Sequence, residues 1–242
     1  MKPEDYTIRF YRKWQKPGNL VEFSVSYKES DLIVFAEKDL SDIAFSLLIN
    51  CRKAIEKIIK NNPLFKTSLK PIHLETKNPY IRDIIRVSKQ ANVGPMAGVA
   101  GAVAQCVGES LLGFSKELII ENGGDIFINS SMDRVLMIYA GEESPFKDKL
   151  RIKLRGNNRP YGVCTSSKSI GHSLNFGNTD ATVIIAESAI SADIFATAIS
   201  NMVKSVDDLE NTVDYAKGID CIKGGIIIIK EKAAAWGEIE FV

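Results

Sequence analysis

Along the chain, apolar positions alternate with polar ones in some stretches and recur every three to four residues in others. Alternation argues a strand with one buried face, and the longer period argues an amphipathic helix. Residues 6–11, 21–27 and 31–36 read as strands. Pro17-Gly18-Asn19 and Lys28-Glu29-Ser30 mark turns between them, which predicts an antiparallel meander. Asp39-Leu40-Ser41-Asp42 then offers N-cap residues, and Ile43, Leu47, Ala54, Ile55, Ile58 and Ile59 follow at helical spacing until Asn61-Asn62-Pro63. A connector rich in proline, lysine and asparagine runs to Pro79, and residues 81–91 form a second helix.

Residues 94–114, GPMAGVAGAVAQCVGESLLGF, approach the length of a membrane span and place Gly94 and Gly98 at GxxxG spacing. Gln105 and Glu109 interrupt the run, and alanine and glycine contribute little to insertion. The reading is a buried helix packed closely through its small face. Strands follow at 117–120, 126–128, 135–139, 150–154 and 181–186, with a polar stretch from Val163 to Asp180. A helix is expected over 189–203 and another over 206–217. The run Ile226-Ile227-Ile228-Ile229 and residues 238–242 read as strands. Hairpins mixed with helix pairs predict an α+β fold, layers of mostly antiparallel sheet packed with helices, in a single domain over 1–242. A diverged internal duplication would set two strand-helix-strand layers side by side.

Thirty-one basic residues against 30 acidic ones give a net charge of +1, which argues against a broad nucleic-acid surface. Cys51, Cys106, Cys164 and Cys221 include no CxxC pair, so no structural zinc site is expected, and the thiols read as buried and reduced. The start Met1-Lys2-Pro3-Glu4-Asp5 has no apolar signal segment, and the expectation is a cytoplasmic protein without a membrane span.

Two stretches carry the chemistry. Glu121-Asn122-Gly123-Gly124-Asp125 closes an apolar run with two glycines, which either need a positive φ or allow a ligand or another backbone to come close. In Ser191-Ala192-Asp193-Ile194-Phe195-Ala196-Thr197-Ala198, Asp193 and Thr197 stand four apart and share one helical face. A carboxylate and a hydroxyl are hard oxygen donors suited to Mg²⁺. Between them, Thr165, Ser166, Ser167, Ser169 and Ser173, with Gly171 and Gly177, make a polar cradle for a phosphate. His172 lies inside it and is the candidate catalytic residue. His73, between Pro71 and Leu74 in a connector, reads as structural. Asp125 is placed to hold a ribose or a ligand N–H. No Rossmann glycine motif, P-loop, GxSxG elbow or HExxH occurs.

Over roughly residues 90–205 these motifs resemble the ApbE superfamily of FAD:protein FMN transferases, and more closely an ApbE-related family of archaea, notably methanogens, and anaerobic bacteria, without a settled activity. The resemblance implies a T-fold-like architecture. It implies Asp193 and Thr197 as Mg²⁺ ligands, and Asn122, Gly123, Gly124, Asp125, Thr165, Ser166, Ser167 and His172 around a flavin-like nucleotide. The transferases carry His-His-x-x-Asp-Pro-x-Thr-Gly where this chain has Gly171-His172-Ser173-Leu174-Asn175-Phe176-Gly177-Asn178-Thr179-Asp180. The leading expectation is therefore a phosphorylated small ligand held with Mg²⁺, transferase-like if an enzyme, with weak FAD binding and no appreciable FMN transfer. The alternatives are a true FMN transferase, with FAD or FMN as cofactor, and a non-catalytic protein partner in anaerobic sulfur or redox metabolism.

Overall fold

The computed structural model describes residues 18, 20–147, 149–168 and 175–242. The expected strand at 6–11 lies outside the described residues, as do Ser169, Gly171, His172 and Ser173.

Two β-hairpins and the segments they flank build one large sheet. β1 (Val21–Tyr27) pairs with β2 (Ser30–Ala36), and β3 (Leu118–Asn122) pairs with β4 (Asp125–Asn129). β7 (Tyr161–Ser166), β8 (Ala181–Ala186), β9 (Ile222–Ile229) and β10 (Lys232–Gly237) continue the order β1-β2-β3-β4-β7-β8-β9-β10, with every pairing antiparallel. Between β2 and β3 run α1 (Ser41–Asn61), α2 (Leu64–Thr67), α3 (Pro79–Ala91) and α4 (Val99–Leu111). Between β8 and β9 run α5 (Ala189–Met202) and α6 (Leu209–Lys217). The strands β5 (Arg134–Met137), β6 (Arg151–Leu154) and β11 (Glu240–Phe241) form a second, three-stranded sheet. This is the expected α+β class. The first and last four strands of the large sheet each follow the order hairpin, helices, hairpin.

The layering follows from the period of a strand. Side chains alternate between faces, and the large sheet is covered on both. Leu118, Ile120, Phe127, Ile184, Ile227 and Ile229 pack against the helices. Ile126, Ile128, Val183, Ile185, Ile226 and Ile228 pack against the small sheet. Covering both faces is why the run 226–229 is uninterrupted isoleucine rather than alternating.

Three local differences from the sequence reading have physical causes. β7 was expected as the start of a polar stretch, but it is a buried central strand. Gly162 on it lets α5 seat directly on the sheet, since a Cβ there would lie 2.3 Å from Ala189 Cα. β10 was not expected, because Ala233-Ala234-Ala235 has little strand propensity; pairing with β9 at the sheet edge imposes it. The small-residue helix begins at Val99 rather than Gly94, after a 3₁₀ turn at Pro95–Gly98. Gly94 and Gly98 do not share a partner: a Cβ at 94 would meet Ser68 O at 1.9 Å, and one at 98 would meet Ile194 Cδ1 at 2.6 Å. Among the described residues no helix is long and apolar enough to cross a membrane.

α4 depends on its glycines for contact with the sheet. A Cβ at Gly108 would lie 2.2 Å from the Phe127 ring, whereas one at Gly113 would meet nothing within 4 Å. Gly108→Ala should therefore lower stability by about 1–3 kcal/mol through overpacking. Gly113→Ala should be neutral or gain up to about 1 kcal/mol by restricting the unfolded chain. Urea denaturation of both variants checks the contrast.

Candidate functional site

The tip of the β3–β4 hairpin, the end of β7 and the first turns of α4 and α5 meet at one place. Gly123 and Gly124 have φ of +69° and +102°, a two-residue turn that puts both central residues in the left-handed region. No protein atom lies within 4 Å of a Cβ built on Gly124, so of the two reasons expected for this glycine, the positive φ is the one that applies. Glu121 Oε1 accepts the Gly124 N–H at 2.7 Å and steadies the turn. The turn sets Asn122 and Asp125 opposite each other on the helix side of the sheet.

Asn122 Nδ2 donates to the carbonyl of Ala100 at 3.0 Å. The next residue of α4, Gly101, donates its N–H to Asp193 Oδ2 at 2.8 Å. Asp193, in the second turn of α5, thus supplies from a neighbouring helix the cap that α4 lacks, because its own N-cap residue Gly98 has no side chain to give. α5 is opened by Ser188, whose Oγ accepts the Ser191 N–H at 3.1 Å. Gln105 Oε1 accepts the N–H of Ile190 at 3.2 Å, a second tie between α4 and the start of α5.

On β7, Cys164 stands opposite Asp125 and donates its thiol to Ala189 O at 3.4 Å. Asp125, Asp193, Thr197 and Cys164 are all buried, at 8%, 6%, 5% and 0% exposure. Asp125 Oδ1 is fully enclosed, with no hydrogen-bond partner among the described residues. Burial pushes its carboxyl well above the usual range, and the negative charges of Asp193 and Glu121 push the same way, with the neighbouring Cys164 side chain and the Thr165 N–H opposing. Asp193 is pushed up to about 7 by burial, with the Gly101 N–H opposing. The Cys164 thiol is pushed up by burial and by both aspartates, so it is a neutral donor and not a nucleophile.

The hydroxyl stretch divides. Cys164 and Ser166 face the helices, and Thr165 between them points to the other face, so Thr165 and Ser166 do not line one cradle. Ser166 and Ser167 are buried. Asn175 Nδ2 donates to Ser166 Oγ at 3.0 Å and to Ser200 Oγ at 2.6 Å, pinning the segment to the last turn of α5. Gly177 lies so close to that turn that a Cβ would sit 1.8 Å from Ser200 O. His172 lies outside the described residues. Sequence reasoning missed Gly101, Gln105, Cys164, Asn175 and Ser200. A polar Gln105 inside an apolar helix was the one visible signal, since a buried amide needs a partner.

The donors present fit a hard cation. Among the described residues Asp193 accepts one backbone N–H, and Thr197 stands on the same helical face one turn on. Asp125 adds an orphaned buried oxygen. Among the described residues no three His, Cys, Asp or Glu side chains form a metal cage. Mg²⁺, which keeps waters and leans on substrate phosphates, needs none.

Comparison with known proteins bears on the fold and the family. The ApbE protein of Thermotoga maritima MSB8 superposes with a TM-score of 0.58 at 13% identity, over 90% of this chain and 97% of that one. The flavin transferase ApbE of Vibrio cholerae, as its H257G mutant, gives 0.58 at 11% identity over 90% and 96%. The fold is thus ApbE-like. A family model described as AbpE bacteria matches residues 12–217. The UPF0280 protein of Methanococcus vannielii is 39% identical over 222 residues, 89% of this chain and 90% of the relative. The UPF0280 protein of Methanocaldococcus jannaschii is 35% identical over 218 residues, 88% of each. The chain belongs to this ApbE-related family, described as AbpE bacteria and shared with the UPF0280 proteins.

The raised carboxyl at Asp193 makes stability depend on pH. Its folded pKa lies above its unfolded value, so the fold holds a proton the unfolded chain has released, and stability falls as pH rises from about 4 to about 7. Asp193→Asn keeps an acceptor for Gly101 and cannot ionise. In metal-free buffer it should match the wild type near pH 4 and exceed it at pH 8 by up to ~4 kcal/mol. Denaturation at the two pH values checks the crossover; a variant equally less stable at both refutes it.

Proposed function

We propose that the chain binds a phosphorylated small molecule, a nucleotide or flavin-like compound, together with Mg²⁺ at the Asp125–Asp193–Thr197 junction. The reading rests on one observation above all: a buried, unpartnered Asp125 oxygen beside a second buried carboxylate that a single backbone N–H orients. Two such groups raise each other's proton affinity when nothing positive stands between them. A divalent cation relieves that repulsion. When bound, Mg²⁺ neutralises phosphate charge and polarises the phosphorus. Asp193 and Thr197 would supply oxygens to it, Gly101 holds Asp193 in orientation, and the β3–β4 turn presents Asp125 and Asn122 to the same place. Four free thiols and the absence of a spanning helix among the described residues support placing this chemistry in the cytoplasm.

A second reading is FAD:protein FMN transfer. It is favoured by the match to the ApbE flavin transferases over 90% of the chain. Against it stands the segment 175–179, where the transferases carry Asp-Pro-x-Thr-Gly. Here Asn175 and Gly177 are committed to seating the loop on α5.

Thermal unfolding with Mg²⁺ plus FAD, FMN or ADP at pH 8, set against either component alone, separates the readings. We expect a rise in Tm that needs both components and is abolished in Asp193→Ala, with no covalent flavin on an acceptor domain bearing the transferase threonine motif. A fluorescent acceptor band on a denaturing gel that vanishes in Asp193→Ala would instead establish transfer. No Mg²⁺-dependent rise with any of the three ligands refutes the first reading.

A further inference from the structure

We propose that Cys51 and Cys106 are a site of reversible oxidation, at which a low-molecular-weight disulfide converts the two thiols into an intramolecular disulfide joining α1 to α4. Cys51 lies on α1 and Cys106 on α4, and both line an open cavity of about 240 Å³ between α1, α3 and α4. The walls are mostly apolar, including Leu47, Ile55, Ile81 and Ala102. Ala102 lies one turn before Cys106 on α4, and α1 packs against that helix. The two side chains face the same cavity from neighbouring helices, and each is the strongest influence on the other's titration. The remaining cysteines lack such a partner: Cys164 is enclosed and bonded to Ala189 O, and Cys221 neighbours Ser191.

The surroundings give the two sulfurs different roles. Cys51 is 7% exposed, and Cys106 is less buried. Cys51 holds the Cys106 thiol below the usual range, against burial and the nearby Glu109 carboxylate. The same pairing and burial push the Cys51 thiol up. Tyr80 Oη is fixed by donating to Glu109 Oε2 at 2.9 Å. Cys106, the less buried of the two, is therefore the sulfur that a reagent entering the cavity meets first. Its sulfur attacks one sulfur of RSSR, forming a Cys106–S–S–R mixed disulfide and releasing RS⁻, which takes up the Cys106 proton. Cys51, losing its proton, then attacks the Cys106 sulfur and expels the second RS⁻. The balance is two protein thiols plus RSSR giving one protein disulfide plus two RSH. The chain is oxidised by two electrons and the added disulfide is reduced.

The cavity gives a small reagent its way in, and the link reaches the candidate site without depending on its ligand. Gln105 precedes Cys106, donates to Glu109 Oε1 at 2.8 Å and accepts from Ile190 at the start of α5. A disulfide that fixes α4 against α1 therefore bears on the helix that holds Asp193.

The test uses the folded full-length chain and bis(2-hydroxyethyl) disulfide as the probe, followed by alkylation in denaturant and peptide mass mapping. The expected product is a Cys51–Cys106 linked peptide, two hydrogens lighter than the reduced pair and reversed by dithiothreitol. Cys51→Ser should stop at a mixed disulfide on Cys106, and Cys106→Ser should leave Cys51 unmodified. Absence of the linked peptide from the wild type refutes the proposal, and that map decides even where a variant fails to fold. So does modification of Cys51 in Cys106→Ser at the wild-type rate.

Discussion

The contact between Gly101 N–H and Asp193 sets the geometry of everything around it. A Cβ at position 101 would lie 2.4 Å from Ala189 O and 2.8 Å from Asp193 Cβ. Only glycine lets the first turn of α4 come close enough for its backbone to reach the carboxylate. Once that approach is made, Ala100 O falls within reach of Asn122, and Gln105 within reach of Ile190. Two helices from different halves of the chain and one hairpin are thereby held in register by backbone groups, which have no rotamers to lose.

The same close approach explains why the two aspartates are buried. α5 lies on β7 through Gly162, and α4 lies on β4 through Gly108, so the helix layer sits low on the sheet. A helix layer held off by larger side chains would leave room for water between Asp125 and Asp193, and both would titrate as ordinary surface carboxylates. Burial is the first cause of both shifts. The glycines thus act on the chemistry through packing, though none of them carries a functional group.

Much of the framework was legible because it rests on period. The helical spacing at 43–59 and 81–91 and the alternating or continuous apolar runs that became β1, β2 and β9 all follow from one-dimensional patterns. The pairing of Asp193 with Thr197 was legible for the same reason, as a four-residue step on one helix. What no local pattern encodes is which distant backbone meets which side chain. Asp193 read as a metal ligand or a dipole-compensating residue, and its bond to an N–H 92 residues away in the chain was invisible. The division of Thr165 from Ser166 was missed because β7 was taken for loop, and a one-residue alternation matters only once a strand exists. Cys164 read as a small buried residue, which it is; its place opposite Asp125 comes from sheet register alone.

The half-buried Glu117 and the buried Asp125 and Asp193 have opposite fates, and the contrast bears on function. Burial would raise Glu117, but hydrogen bonds from Ser130 and Ser131 and the Arg134 guanidinium at 2.6 Å outweigh it and hold the carboxyl at about 2. That is how the fold treats a carboxylate it needs only for structure: every lone pair is answered. Asp193 receives one N–H, and Asp125 keeps an oxygen with none. A purely structural cap for α4 could be an asparagine or serine, which satisfies an N–H as well and has no charge to bury. The chain does use an amide at Asn122, where a tie to Ala100 O is all that is required. Carboxylates kept at 125 and 193 against a desolvation cost, with no cation of the protein's own answering them among the described residues, are better accounted for by a positive charge that arrives with a ligand than by the stability of the fold.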